Sequence, residues 1–177
     1  LEQLRCGQTR IGDEGLQHLA KLKTLRAIDL SDCNRVTVAG VESLSTLPNL
    51  KFLKVWGPSI QDDAMGFVAD MKALEVLGLN DTAVTDAGFA KLTELENLKE
   101  VHLVRTRIGD ATLAVLGQMP KIQTLRLRDT QISDAGLLEL AGLENLKKLD
   151  LSENSSPGIS DAGLKSIAKM DGLQELN

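Results

Sequence analysis

Residues 122–145 read IQTLRLRDTQISDAGLLELAGLEN, and imperfect copies of this stretch fill the whole sequence. The copies begin at Leu1, Leu25, Leu50, Leu74, Leu98, Ile122 and Leu146, with an eighth opening at Leu173 and stopping at Asn177. Their lengths are 24, 25, 24, 24, 24, 24 and 27 residues, with 5 left over. A period of roughly 20–50 residues is the mark of a solenoid, in which each unit buries its apolar face only against its neighbours.

Each copy opens with an apolar residue, a second three positions on and a third two beyond that, as in Leu98, Val101, Leu103 or Leu146, Leu149, Leu151. The last two share one face of a strand, because side chains alternate along an extended chain. A further apolar residue follows the strand: Ile11, Val36, Ile60, Val84, Ile108, Ile132 and Ile159. The spacing then changes. Leu137, Leu140 and Leu143 recur every three residues, which places them near one stripe of a helix, and the same triplet appears in every full copy without a charge. Thr85, Ser133 and Ser160 are placed as N-caps. An acidic residue usually follows the cap position, as at Asp13, Asp62, Asp86, Asp110, Asp134 and Asp161, where it opposes the positive end of the helix dipole.

The copies resemble leucine-rich repeats, with LxxLxLxxT in place of the commoner LxxLxLxxN, followed by xxIsDAGLxxLaxLxNL. The length and the Thr-Asp-Ala-Gly helix start resemble a bacterial subclass common in planctomycete-like proteins, itself similar to the cysteine-containing repeats of F-box-type substrate receptors. The resemblance covers the whole chain. It implies an α/β solenoid, a right-handed horseshoe with a parallel concave sheet and convex helices. It further implies a binding module that presents a preformed curved sheet to a protein partner.

No linker or composition shift divides residues 1–177, so a single repeat domain is expected. The chain has no initiating Met, begins and stops inside a repeat and lacks polar capping units, and is read as a fragment of a longer protein. End-to-end self-association through the uncapped terminal repeats is a corollary. Extra residues near Asn34 and Arg35, and in ENSSPG at 153–158, are expected in loops. Net charge is −5, which argues against a general nucleic-acid or anionic-membrane binder, and no apolar run is long enough to insert in a membrane.

Cys6 replaces a core leucine and Cys33 the threonine of LxxLxLxxT, so both read as buried thiols whose offset argues against a disulfide. Pro58 stands where other copies hold Thr9, Thr82, Thr106, Thr130 or Asn154, and cannot make the turn-closing hydrogen bond a hydroxyl or amide offers there. Two N-x-S/T triplets, at Asn80 and Asn154, overlap the framework of the repeat. Two histidines, His18 and His102, fall on opposite sides of the unit, and neither a nucleophile–base pair nor a phosphate loop is present. Neither an enzyme nor a cofactor is expected.

Strand residues between the core positions face the open side of the sheet. Three columns follow: Gln3, Ala27, Phe52, Val76, Glu100, Thr124, Lys148; then Arg5, Asp29, Lys54, Gly78, His102, Arg126, Asp150; then Gly7, Ser31, Trp56, Asn80, Val104, Arg128, Ser152. Phe52 and Trp56, half of the four aromatic residues, lie on one strand with Lys54 between them and Val76 and Val104 beside them. Arg105, Arg126 and Arg128 follow a few strands on. Aromatic and arginine side chains dominate binding energy at interfaces. The expected site is therefore an aromatic and basic patch of Phe52, Lys54, Trp56, Val76, Asn80, His102, Val104, Arg105, Arg126 and Arg128, for a protein or peptide partner carrying apolar and acidic groups. Trp56 folding against Pro58 and Lys54 to cover its own turn is the alternative. Ion pairs such as Asp29 with Lys54 or Arg126 with Asp150 would occupy some of these charges. Substrate recognition within a ubiquitin-ligase-type receptor or a secreted effector, or a structural spacer, are the rival functions.

Overall fold

The computed structural model describes residues 1–177. Eight strands form one parallel sheet in chain order: β1 (Gln3–Arg5), β2 (Ala27–Leu30), β3 (Phe52–Val55), β4 (Val76–Gly78), β5 (Glu100–His102), β6 (Thr124–Arg126), β7 (Lys148–Asp150) and β8 (Glu175–Leu176). Helices alternate with them: α1 (Asp13–Leu19), α2 (Val38–Ser45), α3 (Ala64–Ala69), α4 (Asp86–Phe89), α5 (Asp110–Leu116), α6 (Asp134–Glu139) and α7 (Asp161–Ile167). One 3-10 turn extends α4 through Leu92 and another extends α6 through Gly142. Helices this short are marginal alone and owe their persistence to the apolar stripe they bury.

The register runs without a slip from Gln3 through Ala27, Phe52, Val76, Glu100 and Thr124 to Lys148. The leucine, isoleucine and valine positions of the repeat form one continuous core between sheet and helices. Burial fails only at the ends. Leu22 of the first helical segment and Leu164 of α7 lack a neighbour on one side and are exposed. The insertion at 153–158 is a loop, and its Gly158 adopts φ +93°.

The acidic row does more than oppose helix dipoles. Asp13 Oδ1 accepts from the Thr37 N–H at 2.8 Å, and Oδ2 from the Thr37 hydroxyl at 2.6 Å, so each carboxylate ties its helix to the next repeat's cap. Asp62 holds Thr85, Asp110 holds Ser133 and Asp134 holds Ser160 in the same way. Where the cap is Gly109, Thr112 supplies the missing hydroxyl, donating to Asp86 Oδ1 at 2.6 Å. The glycine three residues after each Thr or Ser cap makes room for this carboxylate. A Cβ on Gly40 would stand 2.5 Å from Asp13 Oδ1, and Gly88, Gly136 and Gly163 are equally crowded by Asp62, Asp110 and Asp134.

The rung is missing at one junction, between the second and third repeats, where all three of its residues differ. Val38 replaces the aspartate, Gln61 the cap hydroxyl and Ala64 the glycine. Helix α3 accordingly starts late, capped by Asp63 through the Ala64 N–H at 3.0 Å.

A left-handed residue follows each of the first seven strands. Gln8, Asp32, Asp81, Arg105, Asp129 and Glu153 have φ between 52° and 61°, and Gly57, at the same position of the third repeat, has φ +120°. The left-handed region costs most side chains about 1–2 kcal/mol, and Asp is among the residues that tolerate it. The turn is closed by the final residue of LxxLxLxxT. Thr82, Thr106 and Thr130 donate to the carbonyls of Leu79, Leu103 and Leu127 at 2.7–2.9 Å. Asn154 reaches two carbonyls, those of Leu151 and Leu127, each at 2.8 Å. Cys33 donates to the Cys6 carbonyl at 3.1 Å. Both cysteines are free thiols, Cys33 buried and Cys6 only half-buried because its repeat lies at the end of the stack. Asn80 and Asn154 are buried, so neither amide is open to a glycan in the folded chain.

Candidate concave-face binding site

The concave columns form as the register requires, but their members are not equally accessible. Phe52, Lys54 and Trp56 of β3 and its following residue are half-buried, as are Val76 and Val104, and Arg126 is exposed. Lys54 Nζ stands 5.0 Å from the centre of the Phe52 ring, a cation–π pair. Gly78 permits this posture, since a Cβ there would come within 2.7 Å of Lys54 Cγ. The lysine stem thus lies along the sheet across β4. The signal for this role in the sequence is a glycine in the middle of a column of long side chains.

Asn80 and His102 are corrections to the expected surface. Asn80 is 9 % exposed, and its Oδ1 accepts from the Val104 N–H at 3.0 Å, so it holds the backbone of the neighbouring turn. His102 is 2 % exposed, with Nε2 2.5 Å from Glu100 Oε1. Burial pushes its imidazole below the usual histidine range; Glu100 opposes this shift, and the Arg126 and Lys54 cations reinforce it. His102 therefore lies beneath the face rather than on it.

The charges sort differently from the expected pairs. Asp29 does not pair with Lys54, nor Asp150 with Arg126. Asp29 Oδ1 instead takes the N–H and hydroxyl of Ser31 at 3.0 and 2.6 Å, and Asp150 Oδ1 takes those of Ser152 at 3.1 and 2.7 Å. A carboxylate two residues before a serine closes a local loop sooner than it recruits a long cation across the ladder. Lys54 and Arg126 consequently have no acidic partner within ion-pair distance, whereas Arg105 and Arg128 do. Arg105 sits on the left-handed turn and grips Asp81 with two bonds of 2.6 and 2.9 Å. Arg128 pairs with Glu153, and its Nε is buried without a partner. The Trp56 indole N–H is likewise buried and unpaired.

A polar depression of about 260 Å³ adjoins Arg126, bordered by Lys148, Asp150 and Glu175. Nearer the edge of the sheet, Glu75 bridges Lys51 at 2.6 Å and Lys99 at 2.7 Å. Hydrogen bonds from Lys51 and then Lys99 bring its carboxyl down to about 2. No group of three or more His, Cys, Asp or Glu side chains is arranged to hold a metal, and no helix is long and apolar enough to cross a membrane. The face can offer aromatic surface, the cations of Lys54 and Arg126 free of ion pairs, and backbone-braced rigidity to a partner.

The same architecture occurs in solved bacterial proteins. The structure of internalin C2 from Listeria monocytogenes superposes with a TM-score of 0.67 at 22% identity, covering 99% of this chain and 79% of that one. A leucine-rich repeat protein of Leptospira interrogans gives 0.66 at 22% identity over 90% of this chain, which spans 38% of that protein's. At such identity the likeness is one of fold. No curated protein matches the sequence. The family model described as leucine-rich repeat region matches residues 5–177, and the chain belongs to that family.

Proposed function

We propose that the chain is a non-catalytic recognition domain that binds a protein or peptide on its concave sheet, with Phe52, Lys54, Trp56, Val76, Val104 and Arg126 as the contact surface. Proteins of this family commonly serve as protein-interaction modules. The observation that carries the reading is that Lys54 and Arg126 lack acidic partners on a face where Asp29 and Asp150 are already committed to serines. Two half-buried aromatic rings stand beside one of them. Arg105 and Arg128 contribute through their turns, and Asn80 and His102 brace the surface from below.

The test is capture from a native lysate with the wild-type chain, Trp56→Ala, and Lys54→Glu combined with Arg126→Glu. Proteins retained by the wild type and lost by both variants, with circular dichroism unchanged, support the proposal. Identical capture by all three folded proteins refutes it and favours a structural spacer. Recognition within a larger receptor or a secreted effector would use this same face.

A further inference from the structure

The concave face holds a second feature, one repeat before the aromatic strand. Ala27 is the smallest residue in its column, set between Gln3 and Phe52 of the adjoining strands. The short side chain leaves a depression of about 300 Å³, with the Phe52 ring on one side and Gln3 on the other. That is the low end of the roughly 300–1,000 Å³ spanned by small-molecule pockets, enough for one or two side chains. Its rim carries Arg5, Arg26 and Lys51 against a single carboxylate, Asp29. Asp29 is bonded to Ser31, and Lys51 to Glu75. Arg5 and Arg26 are exposed and make no ion pair, so the rim is cationic on a chain of net charge −5.

We infer that this notch is the anchoring subsite of the concave face, taking an apolar side chain of a partner peptide whose flanking residues are acidic. The inference rests on the concave-face reading and names the partner's chemistry. Ala27 and Phe52 supply the apolar walls, and Arg5 and Arg26 meet the flanking carboxylates, which Arg can bind through two parallel bonds. The rigidity of the paired strands around Ala27 means the notch exists before the partner arrives, which reduces the ordering cost of binding.

The experiment is an amide NMR titration of the ¹⁵N-labelled chain with the blocked peptide Asp-Glu-Leu-Glu-Asp up to millimolar concentration. Asp-Glu-Asn-Glu-Asp and Lys-Arg-Leu-Arg-Lys serve as comparison peptides. The leucine peptide should shift the amides of Arg26, Ala27 and Phe52, and each comparison peptide should bind about tenfold more weakly or less, the size of one good contact. Ala27→Gln, which repeats the residue Gln3 presents in the same column, should fill the notch and weaken binding by about tenfold with the spectrum otherwise intact. Arg26→Glu should do the same. Equal binding of the basic peptide, or an unchanged affinity in Ala27→Gln, overturns the inference. Shifts confined to Trp56, Val104 and Arg128 overturn the notch but uphold the wider concave site. No shift anywhere overturns the notch and leaves the concave face to the lysate capture.

Discussion

Replacing Gly136 with alanine tests how neighbouring repeats are locked together. The new Cβ would overlap Asp110 Oδ1, lie 2.9 Å from Asp110 Cγ and 2.6 Å from Leu113 Cδ1. The leucine methyl can rotate aside, but the carboxylate cannot move without releasing the Ser133 N–H at 2.8 Å and hydroxyl at 2.6 Å. Hydrogen bonds to a charged group contribute about 1.5–3 kcal/mol each, and water replaces part of this at a half-buried aspartate, so the two together are worth about 2–4 kcal/mol. Alanine in place of a helical glycine returns about 1 kcal/mol. The net expectation is about 1–3 kcal/mol of destabilisation, read from urea unfolding at constant m. Asp110→Ala alone should cost a similar amount. In the Asp110→Ala background, Gly136→Ala should be neutral or stabilising by up to about 1 kcal/mol, because nothing rigid then occupies the space. If Gly136→Ala costs the same in both backgrounds, the glycine does not serve the carboxylate and the account of the ladder is wrong.

The missing rung offers the converse. Val38→Asp alone should destabilise, since Ala64 fills the place of the glycine, whereas Val38→Asp with Gln61→Thr and Ala64→Gly should regain about 1–2 kcal/mol relative to that single variant in the same urea assay. Glu75 titrates at about 2 when folded against 4.5 as the ordinary value, so between these pH values the unfolded chain binds a proton that the folded chain does not. Stability should therefore fall as pH drops through that window, and Lys51→Met with Lys99→Met should flatten the fall in pH-dependent thermal melts. His102 has the opposite charge logic but the same direction: its depressed folded value makes stability decline as pH falls below about 6.5, and His102→Gln should remove that component. Asp129, exposed at φ 52° with no hydrogen bond through its side chain, should tolerate glycine with a change within about 1 kcal/mol, while Asp129→Val should cost about 1–2 kcal/mol by urea unfolding.

The fold was legible because a repeat states its own register: once Val101 and Leu103 align with Leu125 and Leu127, each strand's neighbours are known. The ladder was not, although every residue in it was visible. An aspartate after a serine reads as part of its own helix, and only stacking shows that its bonds go to the cap some 23 to 26 residues on. The three coordinated departures at Val38, Gln61 and Ala64 carry that information, yet they become meaningful only when the rung is known.

The candidate site shows a different gap. Alternation gives the direction of a side chain correctly, and His102 and Asn80 do belong to the inner columns, but direction is not exposure. On a concave sheet the neighbouring side chains converge, so the accessibility of a residue depends on its ladder partners as well as itself. His102 has Gly78 on one side and Arg126 on the other, with the Lys54 stem lying across the glycine, and it is covered. Phe52 lies between Ala27 and Val76, two short side chains, and remains half-open despite its size. The same rule places the notch at Ala27: a small residue beside a large one in a concave column opens a cavity that neither residue announces alone.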